Sequence, residues 1–197
     1  MEIYEYKDYE EYKKIQVETN KSKLARGWSY FNQPGPRKTI ITEMATKHLG
    51  ENSDDKDVIC HGTRGGHEQQ FFKSLYPNGN TIGTEISDTA ARFPMTVEWD
   101  FTKQNSEWVN GFDIVYSNSF DHTIDPQETL RVWHEQLKEG GFMFIEWSER
   151  QAIGNKNDPL KATFKEIEEL VVEVGFEIVE TQRIGPISGN MYICKKI

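Results

Sequence analysis

The chain has 197 residues, long enough for one well-buried core, and its 36% apolar and 28% charged side chains are those of a globular protein, not a disordered or collagen-like one. A formal charge of −9 argues against a general nucleic-acid binder, because phosphate neutralisation needs clustered Lys and Arg and KSKLARGW, Lys21 to Trp28, reads as a short solvated helix end. No apolar run approaches the ~20 residues that cross a bilayer, so no membrane partner is expected.

The opening MEIYEYKDYEEYKK is acidic and aromatic, unlike a signal or transit peptide. Tyr6, Tyr9, Tyr12 and Ile15 recur near the helix period, and NQPGP, Asn32 to Pro36, is the clearest break. Residues 1–36 therefore read as a helical extension or cap, and residues 37–197 as the main domain. RKTIITEMATKHLG suits a helix ending at Gly50, followed by the polar loop ENSDDKD. From Asp57 onward strands and helices alternate: a strand from Val58 to Cys60, a helix from Gly66 to Leu75, and strands from Thr81 to Ile86, Thr96 to Trp99 and Phe112 to Ser117. Asp125-Pro126-Gln127-Glu128 supplies a helix N-cap, a proline at the first helical position and a glutamate placed for a capping box. That helix is expected to stop at Gly140-Gly141, before the strand FMFIEW. Phe164, Ile167, Leu170, Val171 and Val174 form another helical stripe. FEIVETQRI and MYICKKI close the chain as two strands joined through Gly185-Pro186 and Gly189, too near for a helical crossover and hence antiparallel. Cys60 and Cys194 show no C-x-x-C pairing; read as reduced and buried, they point to the cytoplasm.

Alternating strands and helices imply a parallel sheet covered on both faces, with a ligand at the carboxyl ends of its strands. Four strand ends carry the unusual residues. Cys60-His61-Gly62-Thr63-Arg64-Gly65-Gly66 lets the main chain approach a ligand, yet lacks G-x-G-x-x-G and the G-K-[ST] ending. Glu85 is suited to a ribose diol, Asp100 to an exocyclic amine beside Phe101, and the polar groups of Tyr116 to His122 to a reacting centre. Among the five histidines no metal-ligand spacing occurs, so no metal is expected.

GTRGGHE, GTEIS, EWDFT and FDIVYSNSFDHTIDPQETLRVWHEQLKEGGFMFIEWSE, in this order, resemble class I S-adenosylmethionine-dependent methyltransferases, in the small-molecule (methyltransferase type 11-like) branch. The resemblance implies an α/β, Rossmann-like three-layer sandwich. Its seven-stranded, mainly parallel sheet would have the order 3-2-1-4-5-7-6 with the last strand antiparallel. It further implies that Cys60, His61, Gly62, Thr63 and Arg64 surround the methionine part of S-adenosyl-L-methionine, and that Glu85 holds the ribose with Ile86 against adenine. Asp100 and Phe101 would flank the adenine amine, and Asn118, with Ser119, would lie beneath the sulfonium. The partner would be a small or medium polar methyl acceptor, its acceptor atom left open.

Cys60 and Arg64 depart from the family, which usually has an acidic residue and a glycine there. Arg64 either pairs with the ligand's carboxylate or braces the turn by pairing with Glu68 or another carboxylate. Glu68 either complements the helix dipole or touches the cofactor. His122 and Asp121 are candidate base and partner, the alternative being a histidine that fixes the turn. Trp28, Tyr30 and Phe31 either anchor the extension or form the acceptor pocket; Trp147, with Glu149 and Arg150, is a further pocket candidate. The rival functions are a non-catalytic binding or regulatory protein with this fold, a nicotinamide oxidoreductase, disfavoured by the loop, and a nucleic-acid methyltransferase, disfavoured by charge and by the missing N-P-P-[YF].

Overall fold

In the computed structural model the described residues are 1–50, 54–149, 153–185 and 189–197; Arg150, Pro186 and the start of the ENSDDKD loop lie outside them. In chain order the elements are β1 (Glu2–Ile3), α1 (Tyr9–Ala25), α2 (Arg37–Leu49), β2 (Val58–His61), α3 (His67–Leu75), β3 (Thr81–Glu85), β4 (Thr96–Glu98), β5 (Phe112–Ser117), α4 (Pro126–Gln136), β6 (Leu137–Ser148), β7 (Leu160–Lys161), α5 (Phe164–Glu173), β8 (Phe176–Arg183) and β9 (Gly189–Lys196). Single 3-10 turns follow β3 at Asp88–Arg92 and β5 at Phe120–His122.

Seven strands form one sheet in the order β4-β3-β2-β5-β6-β9-β8, which is 3-2-1-4-5-7-6 when the sheet strands are counted along the chain. β2 to β6 pair in parallel, and β9 runs antiparallel to both β6 and β8. The period of two in a strand sends alternate residues to opposite faces. Val58, Cys60, Ile114, Tyr116, Phe142 and Phe144 pack with α2 and Phe72 of α3. Ile59, Val115, Met143 and Ile145 pack with Leu130 and Trp133 of α4 and with Ile167 and Val171 of α5. The strands are apolar on both sides because helices cover both faces. Each such large side chain contributes roughly 1.5–3 kcal/mol on burial.

The helix boundaries follow local chemistry. Glu128 N–H donates to Asp125 Oδ1 at 3.0 Å, so Asp125 caps α4 with Pro126 in its first turn. Thr163 and Glu166 form a full capping box on α5. α4 ends four residues before the expected Gly140-Gly141 stop. Leu137 is extended and fully buried, and it pairs with Phe112. The last helical carbonyls are taken by N–H groups of the preceding loop, Asn110 to Glu135 at 2.8 Å and Gly111 to Gln136 at 3.0 Å. Gly140 (φ 71) instead serves a kink inside β6, next to a register shift against β5.

The extension is tied down at both ends. β1 pairs antiparallel with β7, joining the N-terminal residues to the segment after β6. α1 binds the loops beyond β4, β5 and β6. Tyr9 Oη donates to Asp100 Oδ2 at 2.7 Å, Tyr12 Oη to the His122 carbonyl at 3.1 Å, and Gln16 Nε2 to the Asn157 carbonyl at 3.2 Å. Among the described residues no helix is long and apolar enough to cross a membrane.

Candidate functional site

The carboxyl ends of β2, β3, β4 and β5 open onto two adjoining cavities. One, about 40 Å³, is lined by Tyr12, Asn20, Gly62, Arg64, Glu85, Ile86, Asp100, Phe101, Ser119 and His122 among others. The larger, about 370 Å³, shares Gly62, Arg64, Ser119 and His122 with it and adds Thr63, Glu68, Asn118, Asp121 and Asp158, with Lys23, Trp28 and Tyr30 from the extension.

In the smaller cavity Glu85 is nearly buried. Its Oε2 accepts from Arg64 N–H at 3.1 Å and its Oε1 from Ser87 N–H at 2.9 Å. Burial pushes this carboxyl up, while the Ser87 N–H, the Arg64 charge and the Asn20 side chain draw it back. Asp100 Oδ1 accepts from the Thr102 N–H and hydroxyl, and Oδ2 from Tyr9. A carboxylate oxygen has two lone pairs, so Oδ2 retains capacity for a ligand amine.

The glycine loop is held close to β5. A Cβ on Gly62 (φ 74) would sit 2.6 Å from Ser119 Cβ, and Gly62 and Thr63 N–H both donate to the Thr84 carbonyl at 3.0 Å. Arg64 has φ 42, a region that disfavours side chains by roughly 1–2 kcal/mol. Its guanidinium lies 5.3 Å from the Trp28 ring, and its buried Nε has no partner. Thr63 Oγ1 is also buried without one. No ion pair within 4.0 Å joins Arg64 to Glu68, and the Arg64 guanidinium lies in the field of Glu85, Glu68, Asp121 and Asp158.

In the larger cavity the His122 ring is oriented by two acceptors, Gln16 Oε1 at 3.0 Å and the Asn157 carbonyl at 2.8 Å, both at Nδ1. Nδ1 therefore carries hydrogen, and in the neutral ring Nε2 holds the lone pair. Nε2 lies 3.8 Å from Asp158 Oδ1. Burial lifts the Asp121 carboxyl, offset by His122. One ligating atom from each of Asp121, His122 and Asp158 lies within 4.8 Å of the others, a grouping no spacing along the chain reveals.

A buried polar chain runs behind this wall. Asn118 Nδ2 donates to Glu68 Oε1 at 3.2 Å and Tyr116 Oη at 3.3 Å; Tyr116 Oη donates to Glu146 Oε1 at 2.6 Å. Arg37 Nε reaches both Glu146 oxygens at 2.6 and 2.9 Å, with its guanidinium 4.3 Å from the Tyr30 ring.

Five expected site residues point elsewhere, and the pleat explains the first two. Cys60 is fully buried on the α2 side, where burial pushes its thiol up. His61, on the opposite face, is held between Thr84 Oγ1 at 2.9 Å and Gln136 Oε1 at 2.8 Å and stacks on Trp133; burial lowers it to about 4. Only from Gly62 onward does the chain reach the cavities. Phe31 is buried against Phe71 and Tyr116, so it anchors the extension. Trp147 is buried against Phe120. Glu149 accepts from Phe164 N–H at 2.8 Å and braces the start of α5. Conversely, Tyr12, Gln16, Asn20, Lys23 and Asp158 line the cavities without having been anticipated. The first four recur at helical spacing, and the burial of Gln16 and Asn20 marks that face of α1 as polar.

No protein-family model matches the chain, and no curated protein does. Solved structures do. The 1,6-didemethyltoxoflavin-N1-methyltransferase of Burkholderia thailandensis, with bound 1,6-didemethyltoxoflavin and S-adenosylhomocysteine, is similar at TM-score 0.76 and 17% identity, over 98% of this chain and 92% of that one. The N-methyltransferase NodS of Bradyrhizobium japonicum WM9, in complex with S-adenosyl-L-homocysteine, gives 0.68 and 13%, over 92% and 98%. The [4+2]-cyclase SpnF gives 0.60 and 12%, over 80% of each chain. At these identities the shared property is the fold: this chain has the Rossmann-like fold of class I methyltransferases.

Proposed function

We propose that the chain is an S-adenosylmethionine-dependent methyltransferase acting on a small or medium polar molecule. One observation carries the reading: Glu85, Asp100 and Asn118, from three different strand ends, face two cavities that share Gly62, Arg64, Ser119 and His122. The residues present fit the cofactor. The buried carboxylate of Glu85 and the half-buried one of Asp100 suit a ribose diol and an adenine amine, and the orphaned Thr63 Oγ1 and Arg64 Nε suit an amino-acid arm. The likeness to methyltransferases crystallised with S-adenosylhomocysteine supports the same reading. The [4+2]-cyclase among the similar structures is a reminder that fold alone does not carry it.

When bound, the cofactor supplies an activated methyl group on a sulfonium. This chain's contribution is placement and water exclusion, and well-oriented reactants gain up to ~7–11 kcal/mol from alignment alone. Residues 1–36 act as a cap, with Trp28 and Tyr30 walling the acceptor chamber. His122 Nε2, fixed by its Nδ1 hydrogen bonds, takes a proton from a hydroxyl or ammonium acceptor, and Asp121 stabilises the charged ring.

The test is a thermal shift followed by turnover. A ligand at a hundredfold excess over Kd adds about 2.7 kcal/mol to stability. S-adenosylhomocysteine should raise the melting temperature and NAD should not. Methyl-labelled cofactor should then label a component of a small-molecule extract. A shift without transfer would leave a binding protein, and no shift with S-adenosylhomocysteine would remove the reading.

A further inference from the structure

Glu68 stands in the first turn of α3, 6% exposed, and lines the larger cavity together with Arg64 and Asn118. Asn118 Nδ2 donates to its Oε1 at 3.2 Å. Among the described residues the buried salt bridge of this region joins Arg37 to Glu146 and engages neither Glu68 nor Arg64. No ion pair within 4.0 Å joins Arg64 and Glu68, although Arg64 lies in the field of Glu85, Glu68, Asp121 and Asp158 and Glu68 in that of Arg64. Charges held this close without direct pairing carry a desolvation cost that a ligand bridging them would offset. Paired charges of opposite sign in one chamber complement a zwitterion.

We infer that Glu68, oriented by Asn118, holds the ammonium of an α-amino acid group whose carboxylate lies on Arg64, so that this chain selects adenosyl ligands with an intact amino-acid arm. The inference rests on the cofactor reading above and assigns the ammonium to a side chain of α3. Burial lifts the ligand-free Glu68 carboxyl to about 7, opposed by its own backbone N–H, Asn118 and Arg64. The ionisable groups facing it are Arg64 from the glycine loop, Cys60 from β2, Tyr116 from β5, and Glu146 from β6 with its partner Arg37. Cys60 and Tyr116 are pushed up by burial, and burial also lifts Glu146 against the pull of its partner Arg37. An arriving ammonium ionises Glu68 and releases a proton.

The experiment is calorimetric titration of the full chain with three probes: S-adenosylhomocysteine, its analogue lacking only the amino group, and 5′-methylthioadenosine, which lacks the arm. The wild type should prefer S-adenosylhomocysteine over the desamino analogue by about 10- to 100-fold, the scale of one charge-assisted hydrogen bond. Glu68→Gln, which keeps the shape and the acceptor for Asn118, should abolish that preference while binding the other two probes within about threefold of wild type. As a check that needs no variant, wild type titrated near pH 6.5 in buffers of different ionisation enthalpy should release protons on binding S-adenosylhomocysteine and none on binding the desamino analogue. An undiminished preference in Glu68→Gln, a parallel loss for all three probes, or an absence of proton release would overturn the assignment. If the wild type bound none of the probes, the cofactor reading itself would fail.

Discussion

Arg64 combines a backbone conformation that favours glycine with a buried guanidinium nitrogen that nothing satisfies. Strain of this kind persists where the surroundings over-determine it, and it concentrates at functional sites. Arg64→Gly should therefore change two properties in opposite directions. Relief of the φ strain should stabilise the fold by about 1 kcal/mol in urea unfolding, while the affinity for S-adenosylhomocysteine falls about tenfold or more. A variant that loses stability and keeps its affinity would make Arg64 a structural brace. His61 carries a second residue-scale prediction. Burial lowers it from 6.5 to about 4, so between those values the unfolded chain binds the extra proton. Its contribution to stability is intact above about pH 6.5 and is lost as pH falls toward 4, a total of about 3 kcal/mol. Stability measured from pH 7 to 4.5 should fall more steeply for wild type than for His61→Gln; equal slopes would refute the burial argument.

At the scale of elements, the strands and the long amphipathic helices were readable because one periodicity dominated each. Val58 to Cys60, FDIVYS and FMFIEW are apolar on both faces, and the α5 stripe from Phe164 is uninterrupted. Two features were not readable. The end of α4 depends on Asn110 and Gly111, distant in sequence, capping its carbonyls. The pairing of β1 with β7 joins two residues to two others 159 positions away along the chain from Glu2 to Lys161. The polar face of α1 is legible in part: Tyr9 and Tyr12 are periodic, but Gln16, Asn20 and Lys23 carry no apolar signal. Trp28 tests the cap directly, because it is 40% exposed and lines the larger cavity. Trp28→Ala should shift stability by no more than about 0.5 kcal/mol and leave S-adenosylhomocysteine affinity within about threefold, while kcat/KM for the acceptor falls at least about tenfold. A matching loss of cofactor affinity would place the Trp28 ring at the cofactor.

For the whole molecule, the strand order puts its reversal between β2 and β5, and both cavities open there. The sequence located the crevice because chemistry-bearing residues closed each strand: Glu85, Asp100, Asn118. It misassigned Cys60 and His61 because it could not tell which side chain of a strand's last pair turns into a helix layer. It missed Asp158 because nothing local distinguishes an aspartate in a loop from one that faces a histidine 36 residues earlier, at His122. The pairing of strand ends into one nucleoside site is the claim on which cap, base and arm-binding residues all depend. Calorimetric titration of S-adenosylhomocysteine into wild type and Glu85→Ala tests it most directly. Saturable binding by the wild type, weakened at least about tenfold in a variant that still folds, is the predicted result. No binding by the wild type, or equal affinity in the two proteins, would contradict it.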